Sequence, residues 1–352
     1  MQNNPVKSRV WTNVRFDEDG RHIGHLSVPI SENETGYAHV PIPITVVKNG
    51  PGPRVLLIGG NHGDEYEGQI ILLKMSRYLK PEDVVGTAII IPGLNAPAVE
   101  HGTRVSPLDG GNLNRMFPGN PRGTATEMIA HYLETELLSR VDYVFDLHSG
   151  GRAMEYLPSA VVCEGDDSDL HQRSLALLDT FGLPVSLIVE GSTGGDLSMV
   201  AACQRRGVVR ISTEMPGRGS VAKIEMDRAE QGLLRVLHEI GMLSHALATE
   251  ERSPTKYIRR HSAREFLYSS ETGVFEPCVD LGDTVSADQL AGRLHFTHNP
   301  WREPLELRFK KPGVVIFKRV LARTHKGECV FGTGDAIRGS LEKDECQGGD
   351  TL

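Results

Sequence analysis

The stretch that most constrains the fold of this chain is residues 54–68, RVLLIGGNHGDEYEG. Residues 55–58 form a continuous apolar run, which is typical of a strand buried on both faces of a parallel sheet. The two glycines after this run allow the backbone to turn sharply. Open α/β sheets place their ligands at the carboxyl ends of the strands, so we expect His62 and Glu65 to lie where chemistry takes place. An imidazole and a carboxylate on one such turn can share a divalent metal.

Composition narrows the class of protein. The chain has 352 residues, which is long enough for a full core and a smaller second domain. A net charge of −8 without a long basic tract argues against nucleic acid as a partner and favours a small-molecule substrate.

The amino-terminal residues lack the apolar segment of a signal peptide, and no run of about 18 apolar residues occurs, so we expect a cytoplasmic protein with no membrane partner. The five scattered cysteines are expected to be reduced thiols.

Strands and helices are predicted to alternate through residues 54–243, which is typical of an α/β fold with a largely parallel sheet. Residues 1–50 are predicted to form edge strands that lead into this sheet. The predicted strands are at residues 55–58, 86–91, 143–147, 184–189 and 207–213, and the predicted helices are at about 67–79, 125–138, 169–181, 199–206 and 228–243. The long loop at residues 104–119 is rich in Gly, Pro and Asn, and long loops in compact domains are usually functional.

The carboxyl-terminal third of the chain has a different pattern. Residues 252–263 are polar and basic, and we interpret them as a linker. The short strands and turns that follow predict a small all-β domain. The predicted division is therefore a catalytic domain at residues 1–255, a β domain at 256–340 and a disordered tail at 341–352.

Four side chains that are distant in sequence share one property. His62, Glu65, His148 and Glu214 each lie just past the carboxyl end of a predicted strand, and so along one edge of one sheet. Two imidazoles and a carboxylate leave a zinc ion one open position, as in catalytic zinc sites. A nearby carboxylate that is not a ligand, Glu214, can take a proton from water and return it to a leaving amine. A lone histidine at a strand end is more often structural, but the coincidence at successive strand ends favours a metal site.

Four motifs in this order resemble the succinylglutamate desuccinylase and aspartoacylase family, which is itself similar to zinc carboxypeptidases. The motifs are GGNHGDEYEG at 59–68, RVSPLDGGNLNRMFPG at 104–119, DLHSGG at 146–151 and TEMPG at 213–217. The resemblance covers roughly residues 50–340. It implies a zinc-carboxypeptidase-like mixed sheet flanked by helices, with one zinc per subunit held by His62, Glu65 and His148, and with Glu214 as general base and acid.

The resemblance also implies roles for the 104–119 loop. Arg104 matches the arginine that polarises the scissile carbonyl and stabilises the oxyanion. Asn114 and Arg115 match the pair that binds the substrate α-carboxylate, a task suited to the planar guanidinium. The structural alternative for the two arginines is a surface ion pair that holds the loop, for instance with Asp109. Some relatives carry an aspartate at position 112 to orient a zinc-binding histidine, whereas this chain has Asn112, a weaker acceptor.

The carboxyl-terminal unit resembles the biotinyl or lipoyl-like barrel that is appended to many of these hydrolases. Two half-repeats support this resemblance, GVFEPCVDLGDTV and GVVIFKRVLARTHKGECVFGTGD. A carrier domain needs a lysine at the hairpin tip between the halves, but residues 298–303, HNPWRE, contain none. A non-catalytic carrier protein is therefore disfavoured, and we expect the barrel to shape or cover the mouth of the active site.

Within the family, the pattern resembles the deacetylases of Nα-acetyl-L-2,4-diaminobutyrate in ectoine degradation, on the evidence of the amino-terminal extension, PIPITVVKNGPGP and NHGDEYEGQ. The substrate γ-ammonium needs an acidic partner, for which the candidates are Glu155, Glu190 and Asp196. A desuccinylase or aspartoacylase would instead need a cation for a second carboxylate, which Arg152 can supply. A metallocarboxypeptidase is a further alternative. The sequence leaves open whether the protein forms a homodimer, and the ligand set would also accept cobalt or iron.

Overall fold

The computed structural model describes residues 7–337 except 34, 166, 192–193, 250–251, 253, 261–262 and 264–265. The predicted tail at 341–352 lies outside the described residues. The α-helices in the described part of the chain are α1 Tyr66–Tyr78, α2 Ala96–His101, α3 Ala125–Tyr132, α4 Ser168–Phe181, α5 Met199–Arg206 and α6 Lys223–Glu239. Short turns of 3₁₀ or π helix lie at Pro81–Asp83, Leu113–Arg115, Leu133–Leu137, Leu138–Arg140 and Gly195–Leu197. None of the described helices is both long and apolar enough to cross a membrane.

The strands fall into an amino-terminal and a carboxyl-terminal group. The first group is β1 Trp11–Thr12, β2 Gly20–Glu32, β3 Thr35–Asn49, β4 Arg54–Gly59, β5 Gly86–Ile91, β6 Tyr143–Ser149, β7 Met154–Tyr156, β8 Ser159–Cys163, β9 Val185–Val189 and β10 Val209–Met215. The second group is β11 Lys256–Arg260, β12 Leu267–Tyr268, β13 Gly273–Pro277, β14 Thr284–Val285, β15 Leu290–His295, β16 Leu305–Arg308, β17 Gly313–Arg319, β18 Arg323–Thr324 and β19 Cys329–Ala336.

One large mixed sheet runs through the molecule, in the order β1-β2-β3-β5-β4-β6-β10-β8-β9-β11-β19-β17-β14, with β12 paired to β19 and β7 paired to β17. The pairs β5/β4, β4/β6 and β6/β10 are parallel, so the carboxyl ends of β4, β6 and β10 lie at the same edge. The expected mixed sheet flanked by helices is confirmed. A separate sheet of four short antiparallel strands, in the order β16-β15-β13-β18, corresponds in part to the small β domain that the sequence predicts.

The apolar run of β4 is buried on both faces, as its sequence predicts. Val55 and Leu57 contribute to a core that includes side chains of α1, α4 and α6. Leu56 and Ile58 contribute to a second core, on the other face, that includes side chains of α3 and α5. The strand that leads to the His62 turn is therefore held from both sides, which fixes the position of the turn.

The prediction of a linker at residues 252–263 is wrong for the central residues, because residues 256–260 form β11. This strand pairs in parallel with β9 and antiparallel with β19, so the carboxyl-terminal strands continue the large sheet. Ile258 is almost fully buried in a core that joins β8 and β9 to β17. The basic composition of the segment conceals this strand, since its charged side chains flank one deeply buried residue. The division of domains at residue 255 stays a prediction.

Candidate active site

Three side chains at the carboxyl edge of the sheet converge on one point. The potential metal-ligand atoms of His62, Glu65 and His148 all lie within 4.8 Å of one another, and all three residues are buried. Both imidazoles direct Nδ1 at Glu65: His62 Nδ1 lies 2.6 Å from Oε1, and His148 Nδ1 lies 2.7 Å from Oε2. The three residues that the sequence predicts to hold a metal are therefore brought together.

The turn between β4 and α1 is tight, and glycine makes it possible. Gly60 has a φ of +66°, which glycine adopts without strain. A Cβ on Gly63 would lie 1.9 Å from the carbonyl oxygen of Ala98, so only glycine lets the loop pass this close to α2. The loop presents His62 and ends at Glu65, the N-cap residue of α1. Local backbone geometry thus places both groups at the strand end.

In each imidazole, Nε2, the nitrogen that points away from Glu65, faces an oxygen acceptor. His62 Nε2 lies 3.2 Å from Asn112 Oδ1, and His148 Nε2 lies 3.0 Å from Asp146 Oδ2. An acceptor at Nε2 places the proton on that nitrogen and leaves the Nδ1 lone pair directed inward. This arrangement fits zinc, which takes neutral imidazoles and a carboxylate and keeps one position open in catalytic sites. Asn112 lies where the resemblance places an orienting side chain.

Charge in this cluster is strongly coupled. Burial alone would raise the pKa of Glu65, but His62 and His148 lower it well below its usual value. Burial disfavours a charged His148, yet Asp146 and Glu65 raise its pKa well above the usual value. To hold a metal ion, His148 would therefore have to lose a proton, as is general for imidazole ligands.

Asp146 and Arg210 form a buried layer behind His148 that the sequence analysis missed. Arg210 Nη2 lies 2.7 Å from Asp146 Oδ2, the same oxygen that accepts from His148. Both side chains are deeply buried. The missed signal is an alternation in β10: Arg210, Ser212 and Glu214 point to one face, where Ser212 and Glu214 lie beside Asp146 and His148 of β6.

Glu214 lies directly beside His148 in the register of β10 and β6. Its side chain lines the same cavity as the His62 cluster. Burial raises the pKa of Glu214 to about 7, although the neighbouring His148 opposes this shift. A carboxyl whose pKa is close to neutrality can both accept and return a proton near physiological pH.

The 104–119 loop carries the remaining predicted residues. Arg104 Nη1 lies 3.3 Å from Glu65 Oε1, so this guanidinium points into the site. Asp109, the partner in the structural alternative, instead accepts hydrogen bonds from the backbone and hydroxyl of Thr126 at the start of α3. Arg104 therefore faces the ligand cluster and does not serve to tie the loop to Asp109.

Asn114 and Arg115 also line the cavity. Asn114 Oδ1 accepts from the backbone N–H of Met199 at 2.9 Å, which ties the loop to α5. Arg115 Nη1 donates to the carbonyl of Asn114 at 2.6 Å, and burial, together with Arg104, lowers the pKa of Arg115. The two residues are held in place at the cavity wall by contacts within the protein.

The cavity has a volume of about 430 Å³ and two walls of different character. The catalytic wall consists of His62, Glu65, His148 and Glu214. The aromatic wall consists of Tyr156, Phe266, Tyr268 and Phe317, most of which come from the carboxyl-terminal third of the chain. The Phe317 ring centroid lies 4.9 Å from those of Tyr156 and Phe266. A space of this size, with apolar and charged sides, suits a small polar substrate.

The acidic residues proposed from sequence for a substrate ammonium lie outside this lining. The lining includes none of the three candidates Glu155, Glu190 and Asp196, and Glu155 forms ion pairs with Arg218 and Lys318 at 3.2 and 3.8 Å. Arg152 is also outside the lining. Within the described residues, the lining carboxylate beyond Glu65 and Glu214 is Asp64, whose Oδ2 accepts from the Arg152 backbone and whose Oδ1 is buried without a partner.

Comparison with known proteins identifies the family of the chain. The family model of the succinylglutamate desuccinylase/aspartoacylase catalytic domain matches residues 51–240. The chain belongs to this family. This family member is 38% identical over 323 residues to the N-alpha-acetyl-L-2,4-diaminobutyric acid deacetylase of Halomonas elongata, a match that covers 92% of this chain and 94% of the relative.

Solved structures of the family share the fold of this member. A succinylglutamate desuccinylase/aspartoacylase from Rhodobacter sphaeroides superposes with a TM-score of 0.88 at 36% identity, over 94% of this chain and 100% of that one. The product-bound ectoine utilization protein EutE (DoeB) from Ruegeria pomeroyi superposes with a TM-score of 0.89 at 34% identity, over 94% and 99% of the two chains.

Proposed function

We propose that this protein is a zinc-dependent hydrolase of small N-acyl amino acids, and that its substrate is Nα-acetyl-L-2,4-diaminobutyrate, which it converts to 2,4-diaminobutyrate and acetate. The observation that carries the proposal is that His62, Glu65, His148 and Glu214 line one cavity, in which the first three are close enough to share a metal ion. The names of the Halomonas and Ruegeria relatives support this choice of substrate.

The roles follow from the chemistry of amide hydrolysis. His62, Glu65 and His148 would hold zinc, which supplies Lewis acidity toward water and toward an amide carbonyl. Glu214 takes a proton from the attacking water as the new C–O bond forms, and gives it to the nitrogen as the C–N bond breaks. One water is consumed, and its second proton also passes to the nitrogen, so the products are a carboxylate and an ammonium group. A pKa near neutrality suits Glu214 to both transfers.

Two arginines have separate tasks in this proposal. Arg104, which lies beside Glu65, stabilises the negative charge that develops on the carbonyl oxygen. Arg115 binds the α-carboxylate of the substrate together with Asn114, because a planar guanidinium can donate two parallel hydrogen bonds. For the γ-ammonium, the available carboxylate of the lining is Asp64.

The second candidate function is removal of a dicarboxylic acyl group, as in a desuccinylase, or of acetyl from N-acetylaspartate. It is favoured by one observation: the lining contains Arg260 in addition to Arg104 and Arg115. A further cation suits a substrate with two carboxylates. A metallocarboxypeptidase is less well suited, because a cavity of about 430 Å³ fits a small substrate better than a long chain.

Metal analysis combined with a substrate panel tests the proposal. The protein is stripped with a chelator, reloaded with zinc, cobalt or iron, and assayed with Nα-acetyl-2,4-diaminobutyrate, N-acetylaspartate, N-succinylglutamate and a long peptide. We expect one zinc per chain as purified and the highest kcat/KM for the first substrate. A preference for N-succinylglutamate would replace the proposed substrate by the second candidate, and no hydrolysis of any N-acyl amino acid would overturn the proposed reaction.

A further inference from the structure

Arg260 is the last residue of β11, and its side chain lines the active-site cavity. β11 is paired in parallel with β9 on one side and antiparallel with β19 on the other. The backbone at Arg260 is tied further, because its carbonyl accepts a hydrogen bond from the backbone N–H of Glu190 at 3.0 Å. The base of this side chain is therefore fixed with respect to the catalytic part of the sheet.

The neighbouring Arg259 provides a direct contrast. The two residues are consecutive in one strand, so their side chains point to opposite faces. Arg259 forms an ion pair with Glu164. Within the described residues, Arg260 has no carboxylate within 4 Å, and its Nε is buried without a hydrogen-bond partner. The arginine that faces away from the cavity has a carboxylate partner, whereas the described residues provide no carboxylate within 4 Å of the one that faces the cavity.

Other arginines of the lining have protein partners. Arg210 is paired with Asp146, and Arg104 lies next to Glu65. Arg260 instead has an aromatic neighbour: its guanidinium carbon lies 5.5 Å from the ring centroid of Phe266. A cation over an aromatic face gains some stabilisation and is held in one orientation, but its charge is not neutralised.

Partly buried cations in proteins are usually paired with an anion, because removal of an unpaired charge from water is costly. In a cavity wall, the missing anion can come from the ligand. A guanidinium that is oriented by an aromatic ring matches a carboxylate, with which it can form two parallel hydrogen bonds.

We propose that Arg260 binds a carboxylate of the N-acyl amino acid, in addition to Arg115. The inference rests on the proposed hydrolysis of N-acyl amino acids. The carboxylate has two sources in this class of substrate, the amino acid itself and a dicarboxylic acyl group, and the experiment distinguishes them. In either case, a residue that follows the catalytic domain in sequence contributes to substrate recognition.

The test compares zinc-loaded wild type, Arg260→Met and Arg260→Lys with the matched control Arg259→Met, which removes a guanidinium from the same strand on the opposite face. Methionine keeps most of the aliphatic volume, and lysine keeps the charge without the planar donor group. With Nα-acetyl-2,4-diaminobutyrate and N-succinylglutamate as substrates, we expect Arg260→Met to raise KM about tenfold to a hundredfold, the range for loss of a hydrogen bond to a charged group. We expect kcat to change much less, because the contact exists before and during the reaction.

An increase in KM for both substrates assigns the α-carboxylate to Arg260. An increase for N-succinylglutamate alone assigns one of the two carboxylates that the diaminobutyrate substrate lacks, and N-acetylglutamate, which has the side-chain carboxylate but no acyl carboxylate, tells these two apart. A KM of Arg260→Lys that lies between those of wild type and Arg260→Met supports a role of the positive charge. If Arg260→Met has the same KM values as Arg259→Met, the proposal is wrong.

Calorimetric titration with 2,4-diaminobutyrate, acetate and succinate separates this inference from the proposed function. It measures binding of carboxylates without turnover, so it remains informative if neither substrate is hydrolysed. We expect at least one of the three to bind at least tenfold more weakly to Arg260→Met than to Arg259→Met. Equal affinities of the two variants for all three ligands would overturn the assignment even if the enzyme hydrolyses N-acyl amino acids.

Discussion

The catalytic wall of the cavity is built at the carboxyl ends of parallel strands in the middle of the large sheet. The aromatic wall is built mostly from short strands and turns of the carboxyl-terminal third of the chain. The strands behind the catalytic wall are buried on both faces and hold its polar groups rigidly, with Asp146 and Arg210 as a further buried layer. The aromatic wall, together with Arg260, contributes shape and one charge. Under the proposed function, one wall would supply the reaction and the other would select the substrate, and the following experiments test this division.

The largest effect is expected when the catalytic wall loses its base. Glu214→Gln keeps the shape of the side chain but cannot accept a proton, so we expect kcat to fall by about 10²–10⁴-fold with the zinc content unchanged. Acetate release and metal analysis measure the two quantities. The matched control is Glu134→Gln, which alters a buried carboxylate that is paired with Arg205 away from the cavity. Activity of Glu214→Gln within tenfold of wild type would assign the proton transfer to another group.

The aromatic wall should respond differently. Phe317 is 1% exposed, and its truncation to alanine should lower the free energy of unfolding by about 3–5 kcal/mol. We also expect a wider cavity, and hence a higher kcat/KM for butanoyl relative to acetyl substrates. Phe309→Ala is the control, because Phe309 is similarly buried in the small β core but does not line the cavity. If both variants lose stability and neither changes acyl preference, the aromatic wall does not select the acyl group.

The buried layer behind His148 can be tested through the metal. Asp146→Asn removes the charge that Arg210 and His148 share, and changes of this kind typically lower zinc affinity by about 10–100-fold. Competition with a chromogenic chelator measures the affinity directly. Asp142→Asn changes an exposed carboxylate near the start of the same strand, where its partner is Arg54, and should leave zinc affinity unchanged. Equal affinities for the two variants would restrict Asp146 to a structural role.

The pH dependence gives the smallest expected effect. Burial raises the pKa of Glu214 to about 7, and the carboxylate form is the base, so activity should fall as the pH decreases through the pKa. A bound dication favours the carboxylate and lowers this pKa, so the acid limb of kcat/KM should lie below pH 7. Each pH unit below the midpoint should reduce kcat/KM about tenfold. An acid limb with the same midpoint in the residual activity of Glu214→Gln would show that another group titrates.

The sequence is most informative where the residues of a single strand are enough to predict how that strand is buried. The run at residues 55–58 predicts burial on both faces, and the structure confirms it. Convergence of His62, Glu65 and His148 was predictable because parallel strands share one carboxyl edge, so residues far apart in sequence end at neighbouring positions. The extent of α3 and the start of α6 were less well predicted, because the apolar pattern continues through the π turn and is weak before residue 228.

Two features that depend on which distant strands pair, and in what register, are not predictable from the sequence. Asp146 and Arg210 are ordinary polar residues in sequence, and their layer exists only because β6 and β10 align Asp146 with Ser212. The sequence of β11 is typical of a linker because its partner β9 lies about seventy residues earlier, and no local pattern indicates that contact. The contribution of Arg260 to the cavity depends on the same pairing.

The pairing of β11 on both sides also limits how far the carboxyl-terminal strands can move relative to the rest of the large sheet. A carboxyl-terminal unit attached by a loose tether could swing away to admit a ligand, but here such a swing would have to tear main-chain hydrogen bonds to β9 or to β19. Substrate and product must then enter and leave without a rigid-body displacement of β11, so any opening of the cavity is confined to side chains and loops.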